Sequence, residues 1–215
     1  MNDIKELLLL YNEIKPRIDR RIEEFNYTWN NGSEYDFYKE LLFCLLTPQS
    51  KAERCWQAVE KLENNNLLFC NDSMKIAECI RTLTRFHHTK AHNIVCLQNT
   101  IVKHGKTVLR EKLQNFSSIT EMREWLVENI KGMGYKEASH FLRNIGKGEE
   151  LAILDRHILR KLVEFKIVKK IPTSLTKNAY MQLEDLMKRF AQGLNIPLAH
   201  LDILFWYQTT GKFFK

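Results

Sequence analysis

Four prolines and eight glycines in 215 residues leave little material for the dense turns of an all-β protein. The alternating apolar pattern of strands is nearly missing as well. Cysteine is sparse: Cys44, Cys55, Cys70, Cys79 and Cys96 are odd in number and show no Cys-x-x-Cys spacing. That excludes a disulfide framework and reads as thiols kept in a reducing compartment. No cysteine follows Cys96, which excludes a C-terminal iron–sulfur loop for want of ligands. Long apolar runs are lacking too. The opening MNDIKELLLLY holds an early acid and only four consecutive leucines, neither a signal peptide nor a membrane span. The expected location is therefore inside the cell, in cytoplasm, nucleoid or nucleus.

What is present is helical periodicity, from end to end. Apolar spacing predicts helices at about 3–14, 17–26, 34–46, 51–63, 72–83, 89–104, 106–114, 119–131, 135–145, 156–165, 176–192 and 198–209. Pro16 and Pro197 suit first helical turns. With 44% hydrophobic and 27% charged residues, the chain is an ordinary globular protein, all-α, with two helical lobes flanking a cleft. The formal net charge is +7, which favours a polyanionic partner. From Arg81 to Lys112 stand seven Lys or Arg against the single acid Glu111. A solvated surface accounts for such a stretch equally well.

The stretch IKGMGYKEASHFLRNIG, Ile130–Gly146, interrupts this regularity. Apolar residues on either side mark two helices, separated by Gly132-Met133-Gly134. A helix that starts at such a corner exposes its first N–H groups. Without side chains at Gly132 and Gly134 a phosphate can come close, and the helix dipole favours its charge. A plain helical corner capped by glycine is the simpler alternative. Lys136, on the first turn beyond the corner, reads either as one more phosphate-binding cation or as a reactive amine. Asp155 lies 19 residues further on, in LAILDRHILRKL, far enough for the chain to return to the same place. Aspartate is also a good N-cap, and the two roles are compatible because a capping carboxylate is held rigidly.

The hairpin followed by LDRHIL resembles the helix–hairpin–helix, Gly/Pro-rich, Asp (HhH-GPD) superfamily of DNA glycosylases. Its details are similar to the type-2, archaeal-type 8-oxoguanine DNA glycosylase/AP lyases. LLFCLLTPQSKAERCWQA (Leu41–Ala58), RFHHTKAHNI (Arg85–Ile94) and the terminal FWYQTTGKFFK support the likeness. One departure is Lys131, where the superfamily's corner usually has proline. The resemblance implies a single glycosylase unit over 1–215. Lobe one would cover approximately 31–130, and lobe two 1–30 plus 131–215, with the hairpin at 126–146.

The implied activity is excision of 8-oxoguanine from double-stranded DNA, followed by strand cleavage at the abasic site, by a monomer needing no cofactor. Asp155 would stabilise the cationic sugar, and Lys136 would attack C1′ to give a Schiff base that permits β-elimination. Gly132 and Gly134 would hold phosphate, with His157, two residues after Asp155, assisting. Gln49 would fill the hole left by the flipped base. Phe86 and Trp206 would sandwich that base, and Lys215 would lie in its pocket, with the terminal carboxylate a candidate acceptor for N7–H. Surface or core placement accounts for each of these five residues without a DNA role. His88 and His92, spaced for one helix face, find no third metal ligand nearby. An endonuclease III-like enzyme for oxidised pyrimidines would share Lys136 and Asp155. A non-catalytic helix–hairpin–helix module would leave Asp155 and its spacing from the lysine unexplained.

Overall fold

The structure, a computed structural model, describes residues 2–103 and 106–213. Among them run eleven helices: α1 Asn2–Asn31, α2 Glu34–Leu46, α3 Ala52–Asn64, α4 Ser73–Ile80, α5 His87–Ile101, α6 Leu109–Gln114, α7 Ile119–Asn129, α8 Tyr135–Asn144, α9 Arg156–Glu164, α10 Lys177–Gly193 and α11 Leu198–Thr210. Between α5 and α6 a two-residue antiparallel ladder pairs β1 Val102–Lys103 with β2 Lys106–Thr107. Strands this short leave no periodic trace in a sequence.

The largest departure from expectation is α1. Two helices meeting at Pro16 were expected; the chain forms one helix of 30 residues with Pro16 inside it. Leu7, Tyr11, Ile14, Ile18 and Phe25 are all buried, a continuous stripe at helical spacing. Pro16 itself is exposed, so the carbonyl it cannot satisfy lies on the solvent face, and burial of the stripe outweighs the lost bond. Elsewhere the boundaries follow capping chemistry. Ser33 with Asp36 and Ser118 with Glu121 form capping boxes at the starts of α2 and α7, while Asp72 and Thr176 cap α4 and α10.

Two hydrophobic clusters organise the chain. The first is built around α2, buried on nearly every side from Phe37 to Leu46, and takes in α3 to α7. It reaches beyond residue 130, gathering Met133, Ala138, Phe141, Leu142, Ile145 and Leu151. The second joins α1, α9, α10 and α11, beginning again at Ala152. Helix α8 thus packs with the first cluster, because its apolar face meets α2. Two buried ion pairs cross the seam. Arg123 on α7 grips Glu184 on α10 with two bonds of 2.8 and 3.1 Å, and Glu184 also accepts the Ala152 N–H at 2.9 Å. Arg143 on α8 meets Asp202 on α11 at 2.6 Å. Such pairs specify which faces meet more than they add stability.

Candidate active site

The corner between α7 and α8 is shaped by Gly132, whose φ is +85°, in the left-handed region that glycine alone enters freely. A Cβ there would also collide with the side-chain amide of Asn93, which α5 places beneath the corner. Gly134 differs. Its backbone is extended, with φ −98°, and a Cβ would meet only the Glu137 carboxylate at 3.2 Å. Among the described residues no backbone strain and no backbone neighbour demands glycine at that position, which leaves close approach from outside as a use for it. The Gly134 N–H donates to Glu137 Oε2 at 3.3 Å, the one half of a capping box that a glycine at the start of α8 permits. Lys131 turns towards α5, its Nζ 2.9 Å from His92 Nε2.

Lys136 is the second residue of α8. Its side chain is 21% exposed, opening onto a cleft of about 1170 Å³ that residues of both clusters line. Its Nζ donates to Thr47 Oγ1 at 3.1 Å and stands 3.5 Å from Glu137 Oε1. Asp155 enters the same cleft as the N-cap of α9. Its Oδ1 accepts from the His157 and Ile158 N–H groups at 2.7 and 2.9 Å. Among the described residues Oδ2 has no hydrogen bond. One oxygen is therefore locked by the helix and the other is left uncommitted, as a preorganised carboxylate requires.

The remaining expected residues divide. Gln49, His157 and Trp206 line the cleft with Lys136 and Asp155. Gln49 is exposed and holds a φ of +53°, a strained conformation for a residue with a Cβ. The His157 and Trp206 rings meet edge to face at 5.2 Å, and His157 Nδ1 and Trp206 Nε1 are buried without a hydrogen-bond partner among the described residues. Phe86 is not brought against Trp206. It is 53% exposed, left-handed at φ +56°, and outside the cleft lining, with the Arg85 guanidinium 5.4 Å from its ring centroid. Lys215 lies outside the described residues. Among those residues no group of three or more His, Cys, Asp or Glu is placed to hold a metal ion.

Three site residues escaped the sequence reading. Thr47 is buried, and its hydroxyl donates to the Cys44 carbonyl at 2.8 Å. Lys90 is 4% exposed in the first cluster, where burial pulls its ammonium from 10.5 down to about 8. Asp202 lines the cleft; burial pushes its carboxyl up to about 6 against the opposing pull of Arg143. A signal for Asp202 was available, since it is the one charge in LAHLDILFWY, and a lone acid in an apolar helix needs a buried partner.

The family model for 8-oxoguanine DNA glycosylase matches residues 18–196. The 8-oxoguanine DNA glycosylase/AP lyase of Fusobacterium nucleatum is 40% identical over 210 residues, 98% of this chain and 96% of the relative. That of Methanocaldococcus jannaschii is 37% identical over 214 residues, 99% of each. The crystal structure of the Methanocaldococcus jannaschii enzyme in complex with a 15mer DNA containing 8-oxoguanine superposes with a TM-score of 0.89 at 35% identity, covering 100% of both chains. The Thermotoga maritima 8-oxoguanine DNA glycosylase gives 0.87 at 32% identity, over 100% of this chain and 99% of that one.

Proposed function

The chain belongs to the 8-oxoguanine DNA glycosylase family, and on that premise we propose that Lys136 and Asp155 carry its chemistry. It is a DNA glycosylase with AP lyase activity, which excises 8-oxoguanine from DNA and cleaves the strand at the resulting site. The observation that carries the assignment of residues is that the Lys136 amine and the Asp155 carboxylate line a single cleft. Lys136 follows directly on a hairpin whose second glycine has an extended backbone and meets no backbone neighbour among the described residues.

The target nucleotide first leaves the duplex stack, at a cost of a few kcal/mol returned by pocket contacts. As the bond from base to sugar breaks, positive charge grows on the deoxyribose, and the Asp155 carboxylate stabilises it. The Lys136 amine attacks C1′ and the base departs with the bonding electrons. Loss of a proton from the new secondary amine and opening of the sugar ring give the Schiff base. Removal of a C2′ proton then expels the 3′ phosphate by β-elimination, and water releases the enzyme. The attacking amine must be neutral, whereas free lysine at neutral pH is mostly charged.

Gly132, Gly134 and the first N–H groups of α8 hold phosphate, with His157 assisting. Gln49 enters the gap in the duplex, and Trp206 forms one face of the base pocket. A reader of 8-oxoguanine must offer an acceptor to its N7–H, which guanine lacks, and in this reading Lys215, outside the described residues, belongs to that base pocket. We read the working form as a monomer. No helix among the described residues is long and apolar enough to cross a membrane. The test is a duplex with one 8-oxoguanine, scored separately for base release and nicking, beside a thymine glycol duplex. Preference for thymine glycol overturns the base assignment. Replacing Lys215 by alanine should impair 8-oxoguanine excision but spare cleavage at a preformed abasic site.

A further inference from the structure

Lys90 is a buried cation whose hydrogen bonds go to no carboxylate. Its Nζ donates to the Leu46 carbonyl at 2.6 Å, the Pro48 carbonyl at 2.9 Å and Ser50 Oγ at 2.8 Å. An ammonium has three N–H donors, and all three end on one short stretch, the C-terminus of α2 and the loop into α3. Carbonyls at a helix C-terminus lack internal partners and carry partial negative charge, so they do the work of a counter-ion. The same stretch is pinned once more where the Arg85 N–H donates to Ser50 Oγ at 2.9 Å. It needs pinning, since it contains the left-handed Gln49.

Inside the pinned loop sits Thr47. Its only hydroxyl hydrogen goes to the Cys44 carbonyl, so towards Lys136 the oxygen acts as an acceptor. A Lys136 amine that donates one N–H along this 3.1 Å line turns its remaining substituents away from the loop. In the neutral amine one of those is the lone pair. Orientation of this kind serves the attack on C1′ and contributes nothing to holding DNA.

We propose that Thr47 and Lys90 form one device that aims the attacking amine. Thr47 contacts the reacting nitrogen directly, and Lys90 is a positioning residue that holds the loop carrying Thr47. This rests on Lys136 being the nucleophile, so Lys136→Gln accompanies every measurement. If Lys136→Gln still forms the borohydride-trapped complex, that reading fails first, and separately from the device.

The measurement is single-turnover cleavage of a duplex with a preformed abasic site, at saturating enzyme, with duplex affinity determined in parallel. Thr47→Val keeps the shape and removes the acceptor, and should slow cleavage about tenfold with affinity unchanged within about twofold. Thr47→Ser restores the acceptor and should return the rate to within about threefold of wild type. Lys90→Met should lose rate by a similar factor without touching Lys136. In the double variant the losses should not multiply, because both changes disable one device. If Lys90→Met does not fold, Ser50→Ala takes its place: it should slow the wild type and leave Thr47→Val unaffected. Wild-type cleavage by Thr47→Val, no rescue by serine, or losses that multiply in the double variant would each overturn the proposal.

Discussion

Arg143 Nη1 and Asp202 Oδ2 lie 2.6 Å apart in the protein interior, joining the second helix of the hairpin to the last long helix beneath the cleft. The pair continues through Asn144, whose side chain bonds both Arg143 and Glu40 on α2. Helices from both hydrophobic clusters are thereby held in register on either side of Lys136 and Asp155. Breaking one member of such a pair leaves a buried charge uncompensated.

This pair has a pH signature. Asp202 is raised from 3.8 to about 6, so between those values the folded chain holds a proton that the unfolded chain has released. Its contribution to stability is complete below the lower value and is lost as pH rises through the upper one. Asparagine mimics the protonated form and does not titrate. Thermal unfolding of wild type and Asp202→Asn between pH 4 and 7 should show the wild type losing stability relative to the variant as pH rises. Parallel curves would show that Asp202 does not titrate in this range.

Lys136→Gln should abolish the complex trapped by borohydride while leaving duplex affinity within a few fold. The side chain lies in the cleft wall and bonds only Thr47 and Glu137 among the described residues, so the fold does not depend on it. Undiminished trapping would identify another amine as the nucleophile.

Asp155→Asn should cripple base excision and cost less than about 1 kcal/mol of stability, because asparagine caps a helix as well as aspartate does. The two N–H groups that Oδ1 receives can bond an amide oxygen equally. Chemical denaturation together with single-turnover base release separates the effects. A variant that is less stable yet excises at the wild-type rate would make Asp155 a cap and nothing more.

The two hairpin glycines should part company. Gly132→Ala forces a side chain into the left-handed region and against Asn93, and should cost more than about 1 kcal/mol. Gly134→Ser puts a good cap on an extended backbone, and its Cβ asks only that the flexible Glu137 carboxylate, 3.2 Å away, give by a few tenths of an ångström. It should fold normally and weaken DNA binding whatever the base. If Gly134→Ser binds undamaged duplex as wild type does, no phosphate approaches that corner.

Affinity for undamaged duplex should fall steeply with salt. Lys51, Arg54, Arg81, Arg85 and Arg156 stand around the cleft, and about four phosphate contacts give a log–log slope near −3.6. Fluorescence anisotropy across a salt series measures it; a flat line would argue against these residues as backbone contacts.

The sequence by itself determined what local interactions determine. Helical periodicity marks most of the eleven helices, Gly132 marks the left-handed corner, and Asp155 marks the start of α9, because spacing, caps and backbone sterics act within a few residues. It also carried the likeness to the glycosylase family, since Gly132, Gly134, Lys136 and Asp155 form a compact pattern. Tertiary structure decided the rest. Lys136 meets Thr47 across 89 positions, Lys90 reaches back 44 to Leu46, and Asp202 finds Arg143 across 59. No local rule pairs such residues; they meet because buried charges and hydroxyls must find partners once the helices have packed. Pro16 teaches the same lesson in reverse. Local sterics would end a helix there, and the helix continues because the apolar stripe on its opposite face is buried along its length.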